Sequence, residues 1–322
     1  MKTRALPLGH SDFQSIREKD YYYIDKTLFI EEFLSSRDEV TIITRPRRFG
    51  KTLNMFMLSC FCDQDLDSRN IFEGLAIMDT AYADRMNRFP VIVLSFKDAK
   101  QDNFMSLLFG IFESIQYWFF KYREIYDSFK MQKNNVQTKI YEDYICIFEY
   151  FEQVKSLKKQ LAIRNDSTEK NIFIDNLSNS LLALTKAIAT YYKKKPLVLI
   201  DEYDTPILTA YTNHFHREME DFFAVLYGSA LKDHSYLEKV LLIGIQRVAK
   251  ETVFSELNNL CVYNVLSEKY SSYFGFTEAE TAKLLEDCGL LLDEAVQRQY
   301  NGYVFGSCPV YNPWSILNYA AD

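Results

Sequence analysis

Residues 45–52, Arg45-Pro46-Arg47-Arg48-Phe49-Gly50-Lys51-Thr52, lie between the β-branched run Val40-Thr41-Ile42-Ile43-Thr44 and an amphipathic stretch that opens at Leu53. The spacing follows a G-x-x-x-x-G-K-[ST] loop, whose backbone N–H groups wrap phosphate oxygens while the lysine reaches the terminal phosphates and the hydroxyl ligates Mg²⁺. Gly50, Lys51 and Thr52 match, but Arg45 stands where the first glycine belongs, and a side chain resists the turn that glycine supplies. Pro46 would instead shape the loop by fixing φ near about −65°. Leu53, Phe56, Met57, Cys60 and Phe61 recur at helical spacing, so Lys51 and Thr52 open a helix whose positive dipole end faces the loop. Strand, loop and helix follow in the order a phosphate site needs. The competing reading is a basic surface turn.

A second apolar run, Leu197-Val198-Leu199-Ile200, ends in Asp201-Glu202-Tyr203-Asp204. As a buried strand of a parallel sheet it delivers two carboxylates to the carboxyl edge, where ligands of such sheets bind. Beside a phosphate loop, Asp201 would hold Mg²⁺ together with Thr52, and Glu202 would polarise the attacking water. The alternative is an acidic strand end that caps a helix, although Thr205-Pro206 already offers a cap and a first helical proline. Val91–Phe96 and Val240–Ile245 read as further buried strands. The latter exits into Gln246-Arg247, where Arg247 either senses phosphate charge or pairs with Glu251 one turn on.

The rest of the chain carries no comparable chemistry. Residues 1–39 hold Tyr21-Tyr22-Tyr23-Ile24 and a helix over Phe29, Ile30, Phe33 and Leu34 that Asp25 would cap; the tyrosines are read as core packing in preference to an adenine pocket. Three long helical patterns, Met105–Phe129, Ile140–Leu161 and Ile174–Lys195, form an insertion at about 101–195, and Lys193-Lys194-Lys195 is a solvated helix end. Beyond residue 270, Thr277–Glu280 is a capping box, Gly289 a helix stop, Asn301-Gly302 a turn and Asn312-Pro313 a helix start. His10, His214, His216 and His234 lack metal-ligand spacing and are read as surface residues.

The 322 residues carry a net charge of −7, which argues against a broad nucleic-acid surface, and 48% hydrophobic content suffices for a large core. Six cysteines without paired spacing point to reduced thiols and a cytoplasmic setting. No apolar run reaches the roughly 18 residues of a membrane helix.

The chain resembles the bacterial AAA-ATPase-like family, whose members often carry a PD-(D/E)XK nuclease-like domain after the ATPase half. The resemblance rests on Gly9–Phe13, Tyr23–Thr27, Arg45–Thr52, Leu199–Pro206, Gly244–Lys250, Phe254–Leu260, Tyr270–Phe276 and Tyr311–Trp314. It implies that an arginine-rich Walker A loop without the first glycine is usual, that Asp201 and Glu202 are the Walker B pair, and that a neighbouring subunit's arginine often completes the site. Glu256 departs from a glycine usual in the family, and the sequence stops at Asp322, where relatives usually continue into the nuclease-like part.

The expected fold is α/β: a P-loop NTPase of the AAA-like kind, a parallel sheet sandwiched by helices, with an extra strand between the Lys51 and Asp201 strands. A helical insertion lies within the core at 40–270, and a C-terminal helical lid covers 271–322. The expected activity is Mg²⁺-dependent ATP hydrolysis. Glu202, Lys51 and Arg247 are the candidate catalytic groups; Arg45, Pro46, Arg47, Arg48, Phe49, Gly50, Lys51, Thr52, Leu53 and Gln246 bind nucleotide; Thr52 and Asp201 bind metal. A homo-oligomer or a protein docked on the insertion is the expected partner. The rivals are a nucleotide switch with little hydrolysis, a small-molecule kinase with Asp204 as base, and DNA engagement by the arginine loop.

Overall fold

The computed structural model describes residues 4–131, 139–232, 235–247, 253, 254, 257 and 259–321. Its centre is a sheet of β1 (Val40–Thr44), β2 (Val91–Ser95), β3 (Leu197–Asp201), β4 (Lys239–Gly244) and β5 (Leu260–Tyr263), in the order β2-β3-β4-β1-β5 and parallel throughout. β4 is the extra strand between the phosphate loop and the acidic strand. Side chains alternate between two cores, because successive residues of a strand point to opposite faces. Ile42, Ile200 and Leu242 join one core, Ile43, Leu199 and Leu241 the other. Both faces are therefore covered, which explains why these strands read as continuous apolar runs rather than alternating ones. β5 escaped the sequence reading because Leu260–Tyr263 is short and only half-buried.

Among the described residues the insertion has five helices where three were expected: Phe104–Lys121, Arg123–Met131, Lys139–Val154, Leu157–Asn165 and Ser167–Tyr192. Apolar spacing ran through the breaks, but local polar groups decided them. Ser156 accepts from Lys159 N and starts a new helix, and Asp166 accepts from Thr168 N and Glu169 N, so the last helix begins well before Ile174. The insertion covers edge strand β2: Trp118 Nε1 donates to Val93 O at 2.6 Å and Tyr122 Oη to Val91 O at 3.3 Å. Lys193–Lys195 are exposed at the helix end, as expected.

The C-terminal region carries the expected capping box, with both reciprocal bonds between Thr277 and Glu280, on helix Glu278–Asp287. Helices Glu294–Tyr300 and Pro313–Ala321 follow. It also contains a small antiparallel sheet, β6 (Phe276–Thr277), β7 (Asn301–Phe305) and β8 (Cys308–Tyr311), in the order β6-β8-β7. Asn301 and Gly302 are not a turn but the start of β7, at a register shift. Asp25 likewise does not cap its helix directly. It accepts from Thr27 N and Thr27 Oγ1 with one oxygen and from Ala76 N with the other, ahead of helix Leu28–Ser35.

Arg45 joins these parts. It is fully buried, its N–H donates to Gly244 O, and its guanidinium donates to the carbonyls of Thr44 (2.9 Å), Tyr263 (3.1 Å) and Tyr270 (3.4 Å). The rings of Phe274 and Phe305 flank the cation at 5.4 and 5.0 Å. Truncation would leave three carbonyls and a cavity behind. Arg45→Ala is therefore expected to lower unfolding stability by about 3 kcal/mol, and Arg45→Lys to restore little, because a point charge cannot span the carbonyls as a fork does. Urea melts that coincide for the three proteins would overturn this account.

Candidate active site

The phosphate loop is shaped by two left-handed residues, Arg48 (φ 69°) and Gly50 (φ 76°). Gly50 adopts this conformation freely, whereas Arg48 does so at a cost and is held by its neighbours. Its guanidinium lies 3.9 Å from the centre of the Trp314 ring, and the adjoining Phe49 is fully buried against Tyr303 and Phe305 of β7. The turn a first glycine would have supplied is thus secured from outside, by the C-terminal region and by buried Arg45.

At the start of helix Lys51–Cys62, Lys51 Nζ donates to Pro46 O at 2.8 Å, folding over its own loop. Thr52 Oγ1 donates to Asp201 Oδ2 at 2.8 Å, and Asp201 Oδ1 accepts from Glu202 N at 3.0 Å. Burial depresses the Lys51 pKa against the opposing pull of Asp201, Asp204 and Glu202, and burial raises that of Asp201 against the hydrogen bond from Thr52. Glu202 has φ 51°, a strained conformation for a glutamate, and Glu202 Oε2 accepts from Thr205 Oγ1 at 3.0 Å.

A cavity of about 620 Å³ opens over the loop. Arg47, Arg48, Phe49, Gly50, Lys51, Thr52 and Leu53 form its floor, with Glu202, Thr205, Thr209 and Lys100 on one flank. The lining is completed by Gly9, His10, Tyr22 and Tyr23 from the N-terminal segment and by Phe276, Trp314 and Leu317 from the C-terminal region. Tyr22 and Tyr23, read as core packing, thus also wall the cavity. Tyr22 Oη donates to Asp287, and Lys26 Nζ donates to Glu280 and to Ser272 O, fixing this part of the lining in place.

The fold brings together most of the expected site residues. Arg45, Pro46, Asp201, Gln246 and Arg247 do not line the cavity: Arg45 is buried beneath the loop, Asp201 is buried and reaches the cavity residue Thr52 by a hydrogen bond, and Gln246 and Arg247 are exposed. Glu251, the alternative partner for Arg247, and His234 lie outside the described residues. His214 is exposed, His10 packs at a tilt against Tyr21, and His216 stacks on Tyr211. Lys100 and Thr209 carried no sequence signal, because only the crossover after β2 and the helix after β3 bring them to the cavity. Asp204 is fully buried with Oδ2 accepting from Ile245 N and Gln246 N, which removes it as an accessible base. It also occupies the N-cap position of helix Thr205–Thr212, where Thr205 was expected.

The Asp201 shift carries a stability consequence. A carboxyl whose folded pKa exceeds its unfolded value opposes folding at any pH above the unfolded value, and the penalty is relieved as pH falls through the folded one. In the nucleotide-free protein Asp201→Asn is expected to raise the melting temperature at pH 7 by about 2 °C, with the gain fading as the solution is acidified. A thermal melt showing a lower midpoint at pH 7 would contradict it.

Comparison with known proteins gives this geometry a lineage. Residues 7–254 match the family described as Predicted AAA-ATPase. An "Uncharacterized protein in vnfD 5'region" of Azotobacter chroococcum mcd 1 is 29% identical over 322 residues, 98% of this chain and 52% of that protein, so the chain spans about half the length of this relative. No solved structure matches. With a family match over most of its length and a five-stranded parallel sheet leading into a phosphate-type loop, the chain belongs to the predicted AAA-ATPase family.

Proposed function

We propose that this chain is an Mg²⁺-dependent ATPase module that couples its nucleotide state to a partner or to a further domain. The observation that carries the reading is the meeting of Lys51, Thr52, Asp201 and Glu202 at one end of the sheet, beside a cavity with a polar floor and an aromatic flank. The backbone N–H groups at the start of helix Lys51–Cys62 and the Lys51 ammonium would hold the phosphates. Tyr22, Ile24, Phe276 and Trp314 offer an apolar seat for the base.

Thr52 Oγ1 and Asp201 Oδ2 place a hydroxyl and a carboxyl oxygen side by side, a donor pair that suits a hard cation completing its shell with phosphate oxygens and water. Bound there, Mg²⁺ would offset the negative charge of the transferring group. Glu202 would orient the attacking water and draw off its proton. Arg247, exposed two residues beyond the cavity residue Ile245, is a candidate for contact with phosphate or with a second copy of the chain.

One observation favours a switch with slow turnover as the second reading. Glu202 is bonded to Thr205 and Lys51 to its own loop, so both must change partners before chemistry. DNA engagement through the arginine loop loses support, because Arg45 is buried and Arg48 is stacked on Trp314. Among the described residues no helix is long and apolar enough to cross a membrane. A cytoplasmic location fits that and the free cysteines.

The test is Mg²⁺-dependent nucleotide binding and phosphate release, with ATP and GTP in parallel. Lys51→Ala is expected to weaken ATP binding at least about tenfold, and Glu202→Gln to keep binding while losing about 100-fold in kcat. Binding that is equal in all three proteins, or absent from the wild type, would end the phosphate-loop reading. Binding without release, unchanged by Glu202→Gln, would favour the switch.

A further inference from the structure

Two consecutive side chains of the loop after β3 grip the backbone that leaves β4. Asp204 is fully buried, and its Oδ2 accepts from Ile245 N at 2.9 Å and from Gln246 N at 2.8 Å. Tyr203, also buried, donates its hydroxyl to Gln246 O at 2.8 Å and its N–H to Ile243 O at 3.3 Å. Gly244 makes room for this grip. A Cβ there would stand 2.6 Å from Asp204 Oδ1 and 2.6 Å from the Tyr203 ring. On its other side, Gly244 O accepts from Arg45 N. The exit of the central strand is thus stitched to the acidic loop on one flank and to the phosphate loop on the other.

A packing role alone does not account for an acid here. An apolar side chain of similar volume would fill the space, whereas a buried carboxyl is costly unless its oxygens are bonded. Asp204 spends one oxygen on two backbone donors, and the other has no hydrogen-bond partner among the described residues. What those two bonds fix is the placement of Ile245, which lines the cavity beside Glu202 and Thr205.

We propose that Asp204 is a positioning residue for hydrolysis: through the amides of residues 245 and 246 it holds the β4 exit against the Glu202 loop, so that the two edges of the phosphate end of the cavity keep one spacing. The proposal rests on the ATPase reading above. It separates from a merely structural role because ATP binding depends on the floor of the cavity, whereas turnover depends on how Glu202 and the β4 exit face each other. A displacement of about 1 Å between such groups can reduce turnover about 100-fold with little effect on binding.

The experiment compares Asp204→Ala, Asp204→Asn and Gly244→Ala with wild type, measuring kcat, the dissociation constant for ATP and amide exchange at residues 245 and 246 in the nucleotide-free protein. Asp204→Ala is expected to lose about 100-fold in kcat with ATP affinity within about threefold, and to expose both amides to rapid exchange. Asp204→Asn, whose amide oxygen can accept the same two bonds, should recover most of the turnover. Gly244→Ala should reproduce the alanine phenotype by displacing the carboxyl, and the double substitution should add nothing further. If Asp204→Ala does not fold, the contrast between an active Asp204→Asn and a turnover-deficient Gly244→Ala carries the test. Wild-type kcat in the variants, or equal losses in affinity and turnover, would overturn the proposal. So would fast exchange of both amides in the wild type, a readout that needs no hydrolysis and therefore distinguishes failure of this proposal from failure of the ATPase reading.

Discussion

Parallel pairing sets Thr44 opposite Gly244 and Asp201 opposite Ile243, so three strands end within one residue of the same level. Everything at the carboxyl edge follows from that register. The loop after β1 bends back over the sheet, the loop after β3 rises beside it, and β4 leaves between them. Thr52 can reach Asp201 only because this level is shared. A slip of one residue would turn every side chain of a strand to the opposite face, exchanging the two cores, so the hydrophobic pattern itself protects the site.

The same edge concentrates buried charge. Arg45, Lys51, Asp201 and Asp204 are each at most 8% exposed. They are tolerated for different reasons. Arg45 has carbonyls and aromatic faces, Asp204 two backbone amides, and Asp201 a hydroxyl and an amide. Lys51 has one carbonyl and the field of nearby acids, and burial still pulls its pKa down. Arg45 and Asp204 are locked by bonds that hold loops together, whereas Lys51 and Asp201 remain ill-matched to their surroundings. That division separates the framework from the groups a ligand would satisfy.

Both chain ends close around the loop. Tyr22 and Ile24 pack into the small core that contains Leu284, Leu285 and Ile316, and Lys26 binds the capping box of helix Glu278–Asp287. Phe49 and Arg48 reach out from the loop to Tyr303, Phe305 and Trp314. A change in the loop's conformation therefore has packed side chains through which to act on the C-terminal region. The loop's own contacts, through Phe49 and Arg48, are aromatic and cationic, whereas Tyr22 and Ile24 pack on the aliphatic core beside Leu284, Leu285 and Ile316.

The sequence by itself determined the central strands, the order of strand, loop and helix, and the pairing of Gly50-Lys51-Thr52 with Asp201-Glu202. Those features depend on periodicity within a strand or on backbone chemistry at a helix start, both of which are local. The helix break at Ser156 was hidden because a cap needs one side chain and leaves the apolar period intact. The short strands β5, β6 and β8 gave too few residues to show a period. Tertiary structure alone decided which polar residues face the cavity. Arg45 reads in one dimension as part of the phosphate cradle, yet the carbonyls of Tyr263 and Tyr270, distant in sequence, draw it beneath the loop. Asp204 reads as a free acid, yet the amides of residues 245 and 246 claim it, because β4 lies between β1 and β3 and leaves the sheet within its reach.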